Sequence, residues 1–453
     1  MTETPMDNRE ANQVGGIILI LKRIAYSRKP VMVTVRYFLI FTAVVAGIAN
    51  MRMWWQSFYT QYIFKKDFIQ EYLISKSVLA GVDPYLSLPI LADRFMGPLP
   101  NLVFQHPTPH PPPVALLCLP LGWLSYEHAA VVWFIFELIC LSVSVAFLLR
   151  WLGVEKMVVF SSLSAFLILV WTPIAHELIY GQLTAMLFLL MVGAWQALRS
   201  GKDIRGGIFL GTAVAVKLMP WPLIIFLMLR RNWRATFAAI TTTMVANVAA
   251  VTLIGFDRVS HYYLKIGSTV SGLYHAYYFN FSLWTIGWRI FDGTGSPVLG
   301  GVNAPPLFNA PAIAPFISIV VSFSMLILGL ALALKVRDFD NSFGIIICLM
   351  VLVSPVAWNH YLIITLIPFV IVVKNLSLLK WPDKETYLAL CIFVTFLIPP
   401  PGLHKLISLL AGNVIGHGQV QSCSFAVSLI SLLPTIALLG LLWLVWRLDR
   451  PTT

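Results

Sequence analysis

The sequence predicts an all-α polytopic membrane protein, and three observations carry that expectation. First, 58% of the 453 residues are hydrophobic and only 11% are charged, whereas a soluble chain averages about 25% charged. Second, the apolar residues come in long unbroken runs, and the mean hydropathy is +0.82. Such runs fit spanning helices and exclude a β-barrel. Third, the net charge of +12 is gathered in short basic clusters between the runs. In a soluble chain that excess would suggest nucleic acid. Here it follows the positive-inside pattern, and nucleic acid is not an expected partner.

The basic clusters orient each run in turn. Lys22, Arg23, Arg28, Lys29 and Arg36 make residues 1–35 a cytosolic N-terminal segment, in which the apolar patch 17–21 is too short to span and no cleavable signal peptide is visible. Span 1, about 36–53, exits into an extracytoplasmic loop, 54–127. That loop holds an amphipathic stretch, 67–80, and the proline-rich piece His106-Pro107-Thr108-Pro109-His110-Pro111-Pro112-Pro113. The run 114–124 is too short to cross and reads as re-entrant or interfacial. Span 2, about 128–150, returns to Arg150 and Lys156. Span 3, about 157–175, exits at His176-Glu177. Span 4, about 182–199, returns to Arg199, Lys202 and Arg205.

Residues 206–229 lie between two basic clusters and therefore predict a hairpin, bent at Lys217-Leu218-Met219-Pro220 because proline breaks helices. Span 7, about 235–256, exits into a second loop, 257–310, which is rich in Tyr, Gly and Pro and reads as a small cap. Span 8, about 312–334, returns to Lys335 and Arg337. A second hairpin, 343–373, is broken at Ser354-Pro355-Val356-Ala357-Trp358-Asn359-His360. Span 11, about 386–400, exits and span 12, about 425–446, returns to Arg447 and Arg450. The reading is one transmembrane domain, 36–447, of about 12 helices with short broken helices and extracytoplasmic loops. Residues 448–453 form a cytosolic tail, and no internal repeat is seen. Asp67, Glu177 and His360 all fall on the extracytoplasmic face. The five cysteines form no CxxC pair and read as small core residues.

Charges outside the cytosol carry most of the functional information in such a chain. Asp67 follows span 1 in Phe64-Lys65-Lys66-Asp67-Phe68, where a carboxylate serves either as a helix N-cap or as a base. Glu71 lies four residues on, on the same helical face, as a second acid or a tuner of the first. Asp83 in Gly81-Val82-Asp83-Pro84-Tyr85 reads as a turn residue. His176-Glu177 with Gly181-Gln182 is either interfacial decoration or a hydroxyl-binding group. Lys217 within the bilayer would cost about 2.5–3.5 kcal/mol, which calls for a cavity, a carboxylate or a phosphate, unless it snorkels. Trp358-Asn359-His360-Tyr361 follows a helix break; its aromatics suit a sugar face or the interfacial belt. His106 and His110 alternate with prolines and do not match a typical zinc site. No metal and no cofactor is expected.

These residues, in order, resemble glycosyltransferase family 87. The resemblance rests on Asp67 followed by Gly81-x-Asp83-Pro84-Tyr85, on Pro112-Pro113 with Leu119-Pro120-Leu121, on Gly181-Gln182, on Lys217-Leu218-Met219-Pro220 and on Trp358-Asn359-His360-Tyr361. It runs over roughly residues 36–375. It implies a GT-C-like helical bundle and a mannosyltransferase that uses polyprenyl-phosphate sugars, with its site on the extracytoplasmic (periplasmic) face of the inner, or plasma, membrane. It also implies that Asp67 is the catalytic base and that Lys217 and His360 match the family's lysine and histidine. Glu71, Tyr85, His176, Glu177, Gln182, Trp358, Asn359 and Tyr361 are then substrate-binding candidates. Two positions depart from the pattern. Leu183-Thr184 follows Gly181-Gln182 where Asn is frequent, and Glu71 stands where an aromatic is usual.

The expected reaction is inverting transfer of a hexose, taken as mannose, to a lipid or glycan acceptor, with membrane lipids around the site. Two other readings stay open at this point: a flippase or transporter of lipid-linked glycans, which the broken helices also suit, and a surface-polysaccharide ligase or polymerase.

Overall fold

The computed structural model describes residues 29–97, 99, 104–154, 157–295, 302–377, 384–411, 414–415, 419–421 and 425–449. Most of the expected N-terminal segment, the last four residues of the expected tail, Lys156 and Cys423 lie outside the described residues. The first described helix, Lys29–Gln56, contains the expected span 1.

Among the described residues the chain is helical apart from one small sheet. Gln419–Gln421 is its central strand, parallel to Val302–Asn303 and antiparallel to Val414–Ile415, with Val420 paired to both Val302 and Val414. Among the described residues four helices are long and apolar enough to cross a membrane unaided: Tyr126–Trp151, Trp233–Ile254, Pro311–Lys335 and Asn359–Leu376. The bent pair Phe160–Val170 and Thr172–Tyr180 makes a fifth candidate. Other apolar helices, such as Thr184–Arg199, Phe339–Leu352 and Leu433–Arg447, run 10–17 residues. At about 1.5 Å per residue they fall short of a hydrocarbon core about 30 Å thick.

The helix Tyr126–Trp151 shows how a span sorts its faces. Val131, Ile135, Ile139, Val143 and Phe147 recur every four residues and are exposed. Trp133, Glu137, Cys140, Leu141 and Ser144 are buried on the other side. The apolar stripe suits lipid, while the polar groups turn into the bundle.

Breaks in the helices have local causes. Pro173 lacks the N–H that would continue the ladder back to Leu169, and the chain bends by 58° between Phe160–Val170 and Thr172–Tyr180. His176-Glu177, read as the exit of span 3, lie within the second half-helix and are buried. Residues 217–220 separate Asp203–Val216 from Trp221–Leu229. Residues 353–358 separate Phe339–Leu352 from the 3₁₀ stretch Asn359–Thr365, which leads into Leu366–Ser377. Both breaks fall where Pro220 and Pro355 predict them.

Two stretches differ from expectation. The segment read as amphipathic, 67–80, is the helix Ile69–Leu79, buried on nearly every side, Gln70, Glu71, Ser75 and Ser77 included. The segment read as a loop, 257–310, is about half helical among its described residues: Phe256–His261 runs through a π-helical turn, Tyr262–Ile266, into Gly267–Gly272, and Ile286–Phe291 follows. Its Arg289 is fully buried and donates to the carbonyls of Tyr278, Asn280 and Ser428 and to the hydroxyls of Thr285 and Ser431.

Close packing joins two of the helices. A Cβ added to Gly207 or Gly211 would lie 2.4 Å from the carbonyl oxygen of Ala235 or Ala239, so Asp203–Val216 and Trp233–Ile254 pack backbone to backbone. One apolar core fills the bundle around Trp171, Phe188, Trp195 and Phe343. A second joins Phe68, Tyr72, Val114, Trp133, Val216 and Tyr262. This second core carries the first loop down onto the spans.

Candidate active site

The site is built around the end of the helix Thr172–Tyr180. Gly181 terminates it in the left-handed region, at φ 71°, a conformation that favours glycine. A Cβ on Gly181 would lie 2.9 Å from Cβ of Phe68. The indole of Trp133 donates to the Gly181 carbonyl at 3.1 Å and stacks on Phe68 with ring centroids 5.4 Å apart. The backbone N–H of Phe68 donates to the carbonyl of Tyr180 at 3.1 Å. Lys66 Nζ donates to the carbonyls of Ile179 at 2.7 Å and Leu178 at 3.4 Å, a lysine satisfying the last acceptors of a helix.

Asp67 stands between these two anchored residues, and Gln182 Nε2 donates a hydrogen bond to its Oδ2. The carboxyl is partly buried. Burial pushes its pKa up to about 7, Gln182 and the cations Lys217 and Lys66 pull it down, and Glu71 pushes it up. A carboxyl with that pKa changes its protonation state near neutral pH.

Lys217 ends the helix Asp203–Val216 in an extended conformation, and its side chain is buried. Its ammonium sits 3.8 Å from the ring centroid of Tyr361. Among the described residues no carboxylate lies within ion-pair distance of it. The Tyr361 ring lies 4.8 Å from that of His360, which is buried with no hydrogen-bond partner for Nε2 among the described residues. Asn359 Nδ2 donates to His176 Nδ1 at 3.1 Å, which assigns the proton of a neutral His176 to Nε2. Trp358 packs edge-on against Tyr274 at 5.2 Å and Tyr277 at 5.5 Å. Tyr274 in turn shares a 2.8 Å hydrogen bond with His106 Nε2.

The structure thus brings Asp67, Gln182, Lys217 and the 358–361 segment to one region, while Glu177 and Tyr85 each bond to the backbone. Glu177 is fully buried, and its Oε1 accepts from the backbone N–H of Ala185 at 2.6 Å, in the first turn of Thr184–Arg199. Tyr85 is buried and donates to the carbonyl of His110 at 3.1 Å. Asp83 accepts from the Tyr85 N–H at 2.9 Å, the turn its sequence predicts. Glu71, by contrast, is buried beside His110, with His110 Nε2 3.0 Å from Glu71 Oε1. The role of Lys66 and the His110–Glu71 contact were not foreseen. A buried acid with a histidine elsewhere in the same loop was the available signal. No group of three or more metal-ligating side chains clusters among the described residues.

The fold is that of a membrane protein, and its polar centre lies where broken helices and the first loop meet. The profile of glycosyltransferase family 87 matches residues 109–355, more than half of the chain. The chain belongs to glycosyltransferase family 87 and is a membrane glycosyltransferase. Lys217, Gln182 and His110 fall inside the matched stretch; Asp67 and the 358–361 segment flank it. No curated protein matches the chain.

Proposed function

We propose that the enzyme transfers a hexose, mannose by family resemblance, from a polyprenyl-phosphate sugar to a lipid or glycan hydroxyl, with inversion at the anomeric carbon. Asp67 takes the proton of the acceptor hydroxyl as that oxygen bonds to the anomeric carbon. The bond from the anomeric carbon to the phosphate oxygen breaks, and the lipid phosphate leaves as the anion. Lys217 and His360 face that charge and stabilise it. Trp358 and its tyrosine neighbours offer apolar faces for a sugar ring. The reaction takes place at the extracytoplasmic face of the inner membrane, in a bundle of about 12 passes, several of them made by broken helices.

The observation that carries this reading is the pairing of a carboxyl poised near neutral pH with a buried lysine that has no carboxylate partner among the described residues. A buried ammonium with no carboxylate within ion-pair distance among the described residues fits an anionic substrate group. The test is to incubate the purified protein with a panel of polyprenyl-phosphate sugars and a glycoside acceptor and to weigh the products. Free lipid phosphate together with an extended acceptor is the expected result. Recovery of every lipid sugar intact would reject the reading and favour transport.

A further inference from the structure

Glu71 is a buried acid that this mechanism does not use. Its side chain has no solvent exposure, and neither carboxyl oxygen receives a hydrogen bond among the described residues. One turn earlier in sequence stands Asp67, whose proton affinity Glu71 raises. The partner that approaches Glu71 is His110, with Nε2 at 3.0 Å and 7% of its side chain exposed.

That approach is built by the proline-rich segment. Tyr85 donates to the His110 carbonyl at 3.1 Å, Tyr262 donates to the Pro109 carbonyl at 2.7 Å, and the His110 N–H reaches Thr108 Oγ1 at 3.4 Å. Prolines on both sides stiffen the backbone. The imidazole is therefore presented to the acid by a segment held from outside at two points.

We propose that His110 is a positioning residue for the transfer reaction: in its protonated form it pairs with Glu71 and balances that charge, so that Asp67 one turn away can ionise and act as the base. The inference rests on the reading of Asp67 as the base. Without a nearby cation, two carboxylates in one buried region cannot both ionise readily, and the pair holds a proton to higher pH.

Other titratable groups face the cluster. Around Glu71 they are Cys118, Tyr126 and Glu137. Around Asp67 they are Lys66, Lys217, Tyr180 and Tyr274. His106 and His360 face His110. Among these, His110 alone is within ion-pair distance of Glu71.

The test is a substrate-free infrared titration of carboxyl groups in the purified full-length protein. The Asp67 band is assigned by its loss in Asp67→Asn, and the Glu71 band by its loss in Glu71→Gln. His110→Gln should make the Asp67–Glu71 pair keep its proton about one pH unit higher, a tenfold gain in proton affinity. His110→Lys, which restores a cation, should return the midpoint towards wild type. Should His110→Gln fail to fold, the double variant Glu71→Gln/His110→Gln replaces the ion pair by a neutral amide pair. It should leave the Asp67 midpoint near its wild-type value. An unchanged titration in His110→Gln overturns the proposal, and so does a fall of about one unit in the double variant, because either means that His110 balances nothing. The titration needs no turnover. Its failure is therefore distinct from failure of the base assignment, which retained turnover in Asp67→Asn would reveal.

Discussion

Gln182 donates a hydrogen bond to Asp67 across 115 residues of chain. The contact joins the first loop to the turn that ends the helix Thr172–Tyr180, and it stabilises the ionised form of the carboxyl. Hydrogen bonds to charged groups are worth about 1.5–3 kcal/mol. Gln182→Leu should therefore raise the acidic limb of the pH–activity profile by roughly one unit. Turnover should fall most below neutral pH and recover on the alkaline side, and a profile of kcat from pH 5.5 to 9 checks this. A uniform loss at all pH values would assign Gln182 to substrate contact instead.

Asp67 also links pH to stability. Its folded pKa of about 7 lies above the ordinary value of 3.8, so between those values the folded state binds more protons than the unfolded state. The contribution of Asp67 to stability is then greatest below about pH 4 and is lost as pH rises through about 7. Asp67→Asn removes that decline. The variant should unfold at a higher temperature than wild type at pH 8 and show little difference near pH 4, as read by thermal unfolding in detergent.

Lys217 separates charge stabilisation from folding. Lys217→Met removes a buried ammonium that has no carboxylate within ion-pair distance among the described residues, so the protein should fold at least as well as wild type. Turnover should fall by about 10²–10³-fold, the usual effect of losing one group that stabilises transition-state charge. A variant that kept wild-type kcat with only a raised KM would place the lysine in ground-state binding.

Gly181 tests the scaffold beneath Asp67. Gly181→Ala must hold a non-glycine residue at φ 71° and place a methyl 2.9 Å from Cβ of Phe68. The left-handed conformation alone costs about 1–2 kcal/mol. Phe68 adjoins Asp67, so the variant should lose both thermal stability and activity. Loss of stability with full kcat would show that the site tolerates movement of Phe68.

Much of the site was legible in the sequence because charge is scarce in a chain this apolar. Asp67, Lys217 and His360 stand out against greasy surroundings, and Pro220 and Pro355 mark both helix breaks. Pairings made through the backbone were not legible. Nothing in the sequence singles out Lys66 beside Lys65, yet its ammonium satisfies carbonyls of the helix Thr172–Tyr180. His110 lies in an extended proline segment, where no periodicity assigns a face, so its approach to Glu71 had no sequence signature. His176-Glu177 reads as a span mouth because hydropathy registers the apolar run but not the 58° bend that precedes both residues. The segment 257–310 reads as a loop because Gly, Pro and Tyr dominate it, while its short helices are held by contacts such as those of Arg289.

The most direct measurement is turnover of a polyprenyl-phosphate hexose by purified wild-type protein and Asp67→Asn, followed as lipid phosphate released. With Asp67 as the base, the variant keeps its fold and its kcat drops by about 10²–10⁴-fold. Release at the wild-type rate would remove Asp67 from the chemistry.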